Sequence, residues 1–284
     1  VIRPVKRGAE LLREIDETGA GRPTLWWLGQ SGFAIKHRGI VLYIDPYLSE
    51  SLTEKYRLTD RPHIRMTEAP LRGHEIAHAD LVLATHGHSD HLDPGTAPAI
   101  LAASPNSKLV LPRALASKAA GMGISLDRML PVDDGERLDF RKGEDVCEIH
   151  VIPSAHEELN RTSEGGYPCL GYVLRFGDSA IYHPGDCVPY GGLVERLAPM
   201  GVTVALLPIN GRDPKRGVPG NFDIEEAARL AEEIGARWIV PVHYDMFTFN
   251  TVDVGRFAEH MRSRHPGMDF RVLACGERWT PSEK

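Results

Sequence analysis

The 284-residue sequence predicts an α/β protein built as a four-layer αββα sandwich, two β-sheets face to face with helices on their outer surfaces. Three observations lead there. Strand-like and helix-like segments come in two successive sets, each with several strands followed by helices. No Pro/Gly/Ser-rich linker or change of composition divides the sets. Histidines and aspartates recur just after strand-like runs in both. The expected domain is 1–284, with residues 1–22 as an N-terminal helical extension and residues 49–79 as a loop insertion.

Residues 7–17 place Leu11, Leu12 and Ile15 on one face, the spacing of a short amphipathic helix, and Gly19 and Gly21 end it. Three strand-like runs follow, TLWWLG, GFAIKH and IVLYIDP, separated by glycines or short polar turns, which predicts an antiparallel meander. Residues 49–79 are polar and irregular, contain Pro62 and Pro70, and are longer than a routine connection. Such loops act as lids or assembly surfaces, or are plain insertions. ADLVLATHGHSDHLDP runs from a buried-looking strand directly into a cluster of histidines. SKLVLP reads as a strand, residues 113–120 as a helix, and EDVCEIHVIPSAH as an alternating strand that meets another histidine.

In the second set CLGYVLRF, SAIYHPGD and VTVALLPIN are strands. Residues 223–234 form a helix capped by Asn221 or Asp223, with Glu225 and Glu226 in its first turn and Gly235 at its end. RWIVPVHYD is a strand with a histidine near its end, and a helix at 253–264 and the strand DFRVLA follow.

With 33 basic and 39 acidic residues the formal net charge is −6, and the isoelectric point is near 6.1. A polynucleotide would be repelled unless positive charge were concentrated in one patch, so no nucleic-acid partner is expected, whereas small anions are not excluded. Cys147, Cys169, Cys187 and Cys275 are irregularly spaced with no CxxC pair, which fits a reduced, cytoplasmic setting. The first residues lack the apolar core of a signal peptide, and no run of about 18 apolar residues occurs, so no membrane contact is expected.

THGHSDHLDP, residues 85–94, is the most informative stretch. His86, His88, Asp90 and His91 follow a strand, as do His156, Asp186 and His243, and loops at one end of a sandwich bring such residues to one point. If this segment is extended, His86 and His88 point the same way and can share one metal, while Asp90 and His91 face a second position. Imidazole and carboxylate ligands without thiolate suit zinc, manganese or iron(II) at a catalytic site with room for water. A structural zinc would favour a closed, cysteine-rich shell. Any one of these histidines alone would read as a cap or a core hydrogen-bonder; the ordered set does not.

THGHSDH resembles the HxHxDH signature of the metallo-β-lactamase fold hydrolases. Asp45 in YIDP, His156, Asp186 in HPGD and His243 in VPVHYD also stand in family order, so the resemblance covers nearly the whole chain. Within that superfamily the chain is most similar to the L-ascorbate-6-phosphate lactonase group, through WLGQSGFAIK, YHPGD, INGRDPKRG and VPVHYDMF. The resemblance implies two divalent metal ions, zinc or manganese with iron(II) as an alternative. His86, His88 and His156 would hold one, Asp90, His91 and His243 the other, with Asp186 bridging. Asp45 would orient a ligand histidine or position the signature loop. A homo-oligomer is implied as well. The lactonase group has no clear counterpart of His156, so neither metal number nor substrate transfers with the fold.

The function expected is that of a metal-dependent hydrolase that uses a metal-activated hydroxide to open a sugar or sugar-phosphate lactone, with Asp90 also passing a proton to the departing alkoxide. His183, three residues before Asp186, is a second catalytic candidate, set against a packed polar residue. Asn210, Arg212 and Tyr244 are candidates to bind a small anionic substrate. Arg212 shares the INGRDPKRG loop with Lys215 and Arg216, where arginine forks suit carboxylate or phosphate, and where a solvated turn explains the charges equally well. Cys187 reads as a buried filler, and Asp245 as a pocket or structural residue. Two alternatives stand beside the lactonase: a phosphodiesterase of the same fold and a noncatalytic metal-binding scaffold. The acidic charge weighs against the first and the complete ligand set against the second.

Overall fold

TLWWLG is apolar at successive positions because its strand is covered on both faces. All six residues of β1 (Thr24–Gly29) are buried. The pleat sends Leu25 and Trp27 into the space between two sheets, and Trp26 and Leu28 toward helices outside. A computed structural model describes residues 1–19 and 21–282. Ala20 of the expected 1–22 extension and the last two residues of the expected 1–284 span lie outside the described residues.

The meander continues through β2 (Gly32–His37) and β3 (Ile40–Ile44), both antiparallel to their predecessors. The chain then crosses over three times to add parallel strands β4 (Leu81–Leu83), β5 (Lys108–Pro112) and β6 (Met129–Val132). The crossovers carry α2 (Ser51–Tyr56), α3 (Ala97–Ala103) and α4 (Ala116–Gly121). The second sheet begins with the antiparallel strands β7 (Arg137–Lys142), β8 (Asp145–Pro153), β9 (Leu170–Phe176) and β10 (Ser179–His183). It goes on with the parallel strands β11 (Val204–Pro208), β12 (Trp238–Val242) and β13 (Asp269–Phe270). β14 (Arg278–Trp279) returns to pair with β1, so each sheet has seven strands.

Three apolar layers hold the four structural ones together. Residues such as Phe33, Ile35, Ile149, Tyr172 and Val240 fill the space between the sheets. α1 (Gly8–Glu17) and α3 close the outer face of the first sheet through Leu11, Ile15 and Ile100. α5 (Leu193–Leu197), α6 (Ile224–Glu233) and α7 (Val254–Arg264) close the second through Leu197, Ala227, Ala231 and Phe257. The αββα sandwich expected from the sequence is the observed fold. Asp223, not Asn221, caps α6: its Oδ1 accepts from the Glu226 N–H at 2.9 Å while Glu226 Oε2 accepts from the Asp223 N–H at 3.0 Å.

Several elements differ from expectation. DFRVLA contracts to the two-residue β13. β7, an exposed and charged edge strand, gives no apolar run to read. Residues 49–79 are not irregular throughout, since α2 and a turn of 3-10 helix at Gly73–Glu75 lie within them. Among the described residues no helix is long and apolar enough to cross a membrane.

Strand direction places the site. β8 and β10 are both antiparallel to β9, and β12 is parallel to β10 through β11, so β8, β10 and β12 all end at the same edge. Parallel β3 and β4 end together in the facing sheet. Asp45, His86, His156, Asp186 and His243 each lie one to three residues beyond one of those five ends.

Candidate metal centre

The loop after β4 builds the floor of the site. It is bent rather than extended: the N–H groups of His91 and Leu92 both donate to the His88 carbonyl, at 3.1 and 2.8 Å. His86 and His88 nonetheless meet through different ring atoms, His86 Nε2 lying 3.1 Å from His88 Nδ1. His156 Nε2 comes within 3.2 Å of the same His88 nitrogen. Tetrahedral ligation at about 2.0–2.1 Å sets two nitrogens about 3.3–3.4 Å apart, so this spacing is near what one shared cation requires. Ligand atoms of His86, His88, His156 and Asp186 lie within 4.8 Å of one another, and so do those of Asp90, His91 and His243. Asp186 reaches toward both groups, with Oδ1 3.2 Å from His91 Nε2, and Oδ2 3.5 Å from His243 Nε2 and 3.8 Å from His156 Nε2.

Polar atoms left without partners point to an occupant. His91 Nε2 and Asp186 Oδ1 are buried and, though 3.2 Å apart, are not aligned for a hydrogen bond with each other or with any other described group, a costly arrangement unless a cation completes it. Burial, reinforced by the charges of His91 and His156, holds His86 well below its ordinary pKa, and burial also lowers His156, so both rings offer lone pairs. For His91 burial acts in the same sense, but the carboxylates of Asp186, Asp45 and Asp90 outweigh it and raise the pKa well above the usual value. Burial opposes ionisation of Asp186 and Asp90, yet the neighbouring imidazoles hold both carboxyls below the usual range. The His/Asp cluster could therefore bind metal.

A web of buried hydrogen bonds fixes these groups. Asp45, in the left-handed region at φ 45°, accepts from His91 Nδ1 at 2.6 Å, from the Thr85 N–H at 2.8 Å and from Thr85 Oγ1 at 2.6 Å. Holding His91 by Nδ1 aims its Nε2 at the cluster. Gln30, also at positive φ, donates through Nε2 to Asp90 Oδ2 at 2.9 Å and lies 3.1 Å from His243 Nε2. Asp93 ties the floor to the 49–79 segment by accepting from Ser49 Oγ at 2.8 Å and Ser51 Oγ at 2.7 Å.

Above the cluster is a cavity of about 310 Å³. His88, Asp90, His156, Asp186 and His243 form its base, and Leu52, Lys55, Tyr56 and His63 of the 49–79 segment form one wall. Phe247, Phe249, Asn250, Lys118 and the 217–219 stretch complete it. A small cluster of Tyr47, Leu52, Met246 and Phe247 packs α2 down beside the site.

Four expected pocket or catalytic residues lie elsewhere. His183 is fully buried, with Nε2 2.7 Å from the Ser31 carbonyl and Nδ1 accepting from the Gly185 N–H at 3.0 Å. Nδ1 is consumed in the turn that carries Asp186 and Nε2 in tying that turn to the β1–β2 turn of the facing sheet. Tyr244 stacks on Trp27 and donates to the Leu273 carbonyl in the inter-sheet core. Arg212 is held by Glu226 in a two-pronged ion pair outside the cavity lining. Asn210 sits one residue behind the wall, donating to Asn250 Oδ1 at 2.9 Å. Arg216 is held by the Asn210 carbonyl at 2.6 Å. Cys187 is a buried filler, as expected, and all four cysteines are free.

Gln30, Thr85, Asp93, Lys55, His63 and Lys118 were not singled out by sequence. Gln30 left a trace, a polar residue between glycines in WLGQSG at a strand end. The lysines and His63 left none, because the cavity they line exists only after the 49–79 segment folds back.

A family model described as Beta-lactamase superfamily domain matches residues 41–244. The chain is 26% identical over 260 residues to a UPF0173 metal-dependent hydrolase of Carboxydothermus hydrogenoformans, covering 88% of this chain and 96% of that one. It is 25% identical over 231 residues to the mitochondrial N-acyl-phosphatidylethanolamine-hydrolyzing phospholipase D of Saccharomyces cerevisiae, 79% of this chain and 48% of that protein. Among solved structures, the metallo hydrolase Igni18 of Ignicoccus hospitalis shares the fold with a TM-score of 0.67 at 23% identity, over 92% of this chain and 99% of that one. The matched residues take in every member of the cluster from Asp45 to His243, and the chain belongs to the β-lactamase superfamily, as a metal-dependent hydrolase of the metallo-β-lactamase fold.

Proposed function

We propose that residues 1–284 form one hydrolase domain that opens the ring of a small lactone, of the sugar or sugar-phosphate type, at the His/Asp cluster. The observation that carries this reading is the convergence of seven His/Asp ligand candidates, five of them lining the base of a cavity of about 310 Å³, a size for a small molecule rather than a polymer. His86, His88 and His156 would hold one divalent ion, Asp90, His91 and His243 a second, and Asp186 would contact both. Such ions lower the pKa of water toward neutrality and polarise an acyl oxygen.

The chain's own residues do the rest. Asp45 fixes the His91 tautomer by taking the proton of Nδ1 into a hydrogen bond. Gln30 restrains Asp90 by donating to Oδ2, and Asp90, which lines the cavity, would take the proton given up by the attacking water and pass it to the ring oxygen as it departs. Leu52 of α2 and Phe247 line the same cavity as that carboxylate and would limit water there once a substrate is bound.

Phosphodiester hydrolysis is the second reading, favoured by the 25% identity to the yeast phospholipase D. Proton release on a panel of lactones, beside hydrolysis of bis-p-nitrophenyl phosphate, separates the two. Both are run on metal-reconstituted protein and on Asp90→Ala, with metal content determined for each. Lactone turnover that disappears in the variant supports the first reading. Turnover of the diester alone replaces it with the second.

A further inference from the structure

The charges that surround the cavity are not those the sequence pointed to. Of the INGRDPKRG loop, Arg212 is paired with Glu226 and Arg216 donates to the Asn210 carbonyl, and neither arginine lines the cavity. Lys55 of α2 and Lys118 of α4 line the cavity instead. Lys118 donates through Nζ to the carbonyl of Gly87, the residue between the two signature histidines, so its ammonium lies alongside the cluster. The acids beside Lys55 are engaged elsewhere, Glu54 with Arg57 and Glu50 with Arg65. The acids at the base, Asp90 and Asp186, belong to the cluster. Neither lysine has a carboxylate partner among the described residues. A chain of net charge −6 thus presents two ammonium groups without carboxylate partners at the cavity above its His/Asp cluster, and such a local surplus concentrates small anions.

The remaining wall has a complementary character. His63 stacks on Tyr56 at 4.1 Å between ring centroids, and meets Phe247 and Phe249 edge-on at 5.1 and 4.7 Å. Lys55 lies 4.9 Å from the centre of the Tyr56 ring. The cavity therefore sets aromatic rings beside positive charge.

We propose that Lys55 and Lys118 together bind an oxyanionic substituent of the substrate, a carboxylate or phosphate, while Tyr56, His63, Phe247 and Phe249 pack against its ring. This rests on the hydrolase reading above and adds the residues that would select, among cyclic esters, one bearing a small oxyanion. Burial and the nearby charge of Lys55 lower the pKa of Lys118; an anion seated between the two groups would offset both effects by favouring the charged ammonium.

The test uses metal-loaded protein, wild type and the variants Lys55→Gln, Lys118→Gln and Lys118→Arg. It compares kcat/KM for unsubstituted γ-butyrolactone with that for a carboxylated γ-butyrolactone and for a phosphorylated aldonolactone. Wild type favours one charged lactone, which identifies the anion. Each glutamine variant lowers the ratio of charged to uncharged kcat/KM about tenfold, and Lys118→Arg restores most of it. In parallel, binding of inorganic phosphate is measured by calorimetry and is about tenfold weaker in the glutamine variants at unchanged metal content. Lactone turnover without preference for charge, and with phosphate affinity unaffected by either lysine, overturns the proposal and leaves the hydrolase reading standing. Lysine-dependent phosphate binding without any lactone turnover keeps the anion site and rejects the lactonase.

Discussion

Gly185 links the two halves of the site, and its replacement by alanine tests how the halves are held together. A Cβ on Gly185 would lie 2.2 Å from Thr85 Oγ1 and 2.6 Å from Thr85 Cβ, and the residue has φ of +66°. The left-handed backbone alone costs an alanine about 1–2 kcal/mol. The collision adds to it, because Thr85 cannot move away without disturbing its two buried hydrogen bonds to Asp45. Loss of one such bond costs about 1–3 kcal/mol, so Gly185→Ala should destabilise by about 2–5 kcal/mol in all. Gly143, in the β7–β8 turn, has φ of +61° and open space where its Cβ would be, so Gly143→Ala isolates the backbone part at about 1–2 kcal/mol. Urea unfolding of wild type and both variants at equal metal load gives the comparison. Metal content of the same samples then shows whether Asp186 and His91 have been displaced. If Gly185→Ala is no less stable than Gly143→Ala and binds metal normally, the Thr85–Gly185 contact does not set the spacing between the β4 and β10 loops, and the two halves must be held by something else.

Three further outcomes are expected. Asp45→Asn, which replaces the carboxylate that holds His91 Nδ1, should weaken metal binding about 10- to 100-fold in a chelator competition. Asp90→Ala should reduce turnover of any accepted ester by at least about 100-fold, even in samples where added metal restores occupancy. Burial disfavours the Glu226 carboxylate, but Arg212 and the Asp223 N–H hold its pKa below the ordinary 4.5. The resulting stabilisation is fully present above pH 4.5 and fades as pH falls through the lowered value. The stability difference between wild type and Glu226→Gln, read from urea unfolding at several pH values, should accordingly be present at about pH 7 and vanish in strong acid.

Strand chemistry and local spacing were legible in the amino-acid order alone. Strands covered on both faces demand unbroken apolar runs, so TLWWLG, GFAIKH and VTVALLPIN declared themselves. The candidate ligands were legible because each stands just beyond such a run, and the two sets of strands implied the layers. His86 and His88 do lie close together, but not as neighbours in an extended segment, since the loop is bent and they meet through different ring nitrogens. Which residues have a free side to offer emerged only from the folded chain. His183 looked like a catalytic neighbour of Asp186, but the Ser31 carbonyl, 152 positions away in sequence, claims its ring. Arg212 looked like an anion receptor until α6 presented Glu226. Lys55, His63 and Lys118 carried no signal at all, because the first two depend on Tyr47, Leu52, Met246 and Phe247 packing α2 beside the cluster and the third on Ala119 seating α4 against the first sheet. Ligand chemistry follows from residue type and strand position, which are local. A binding wall depends on which long-range partners leave a side chain unpaired, and that is fixed only when the chain has folded.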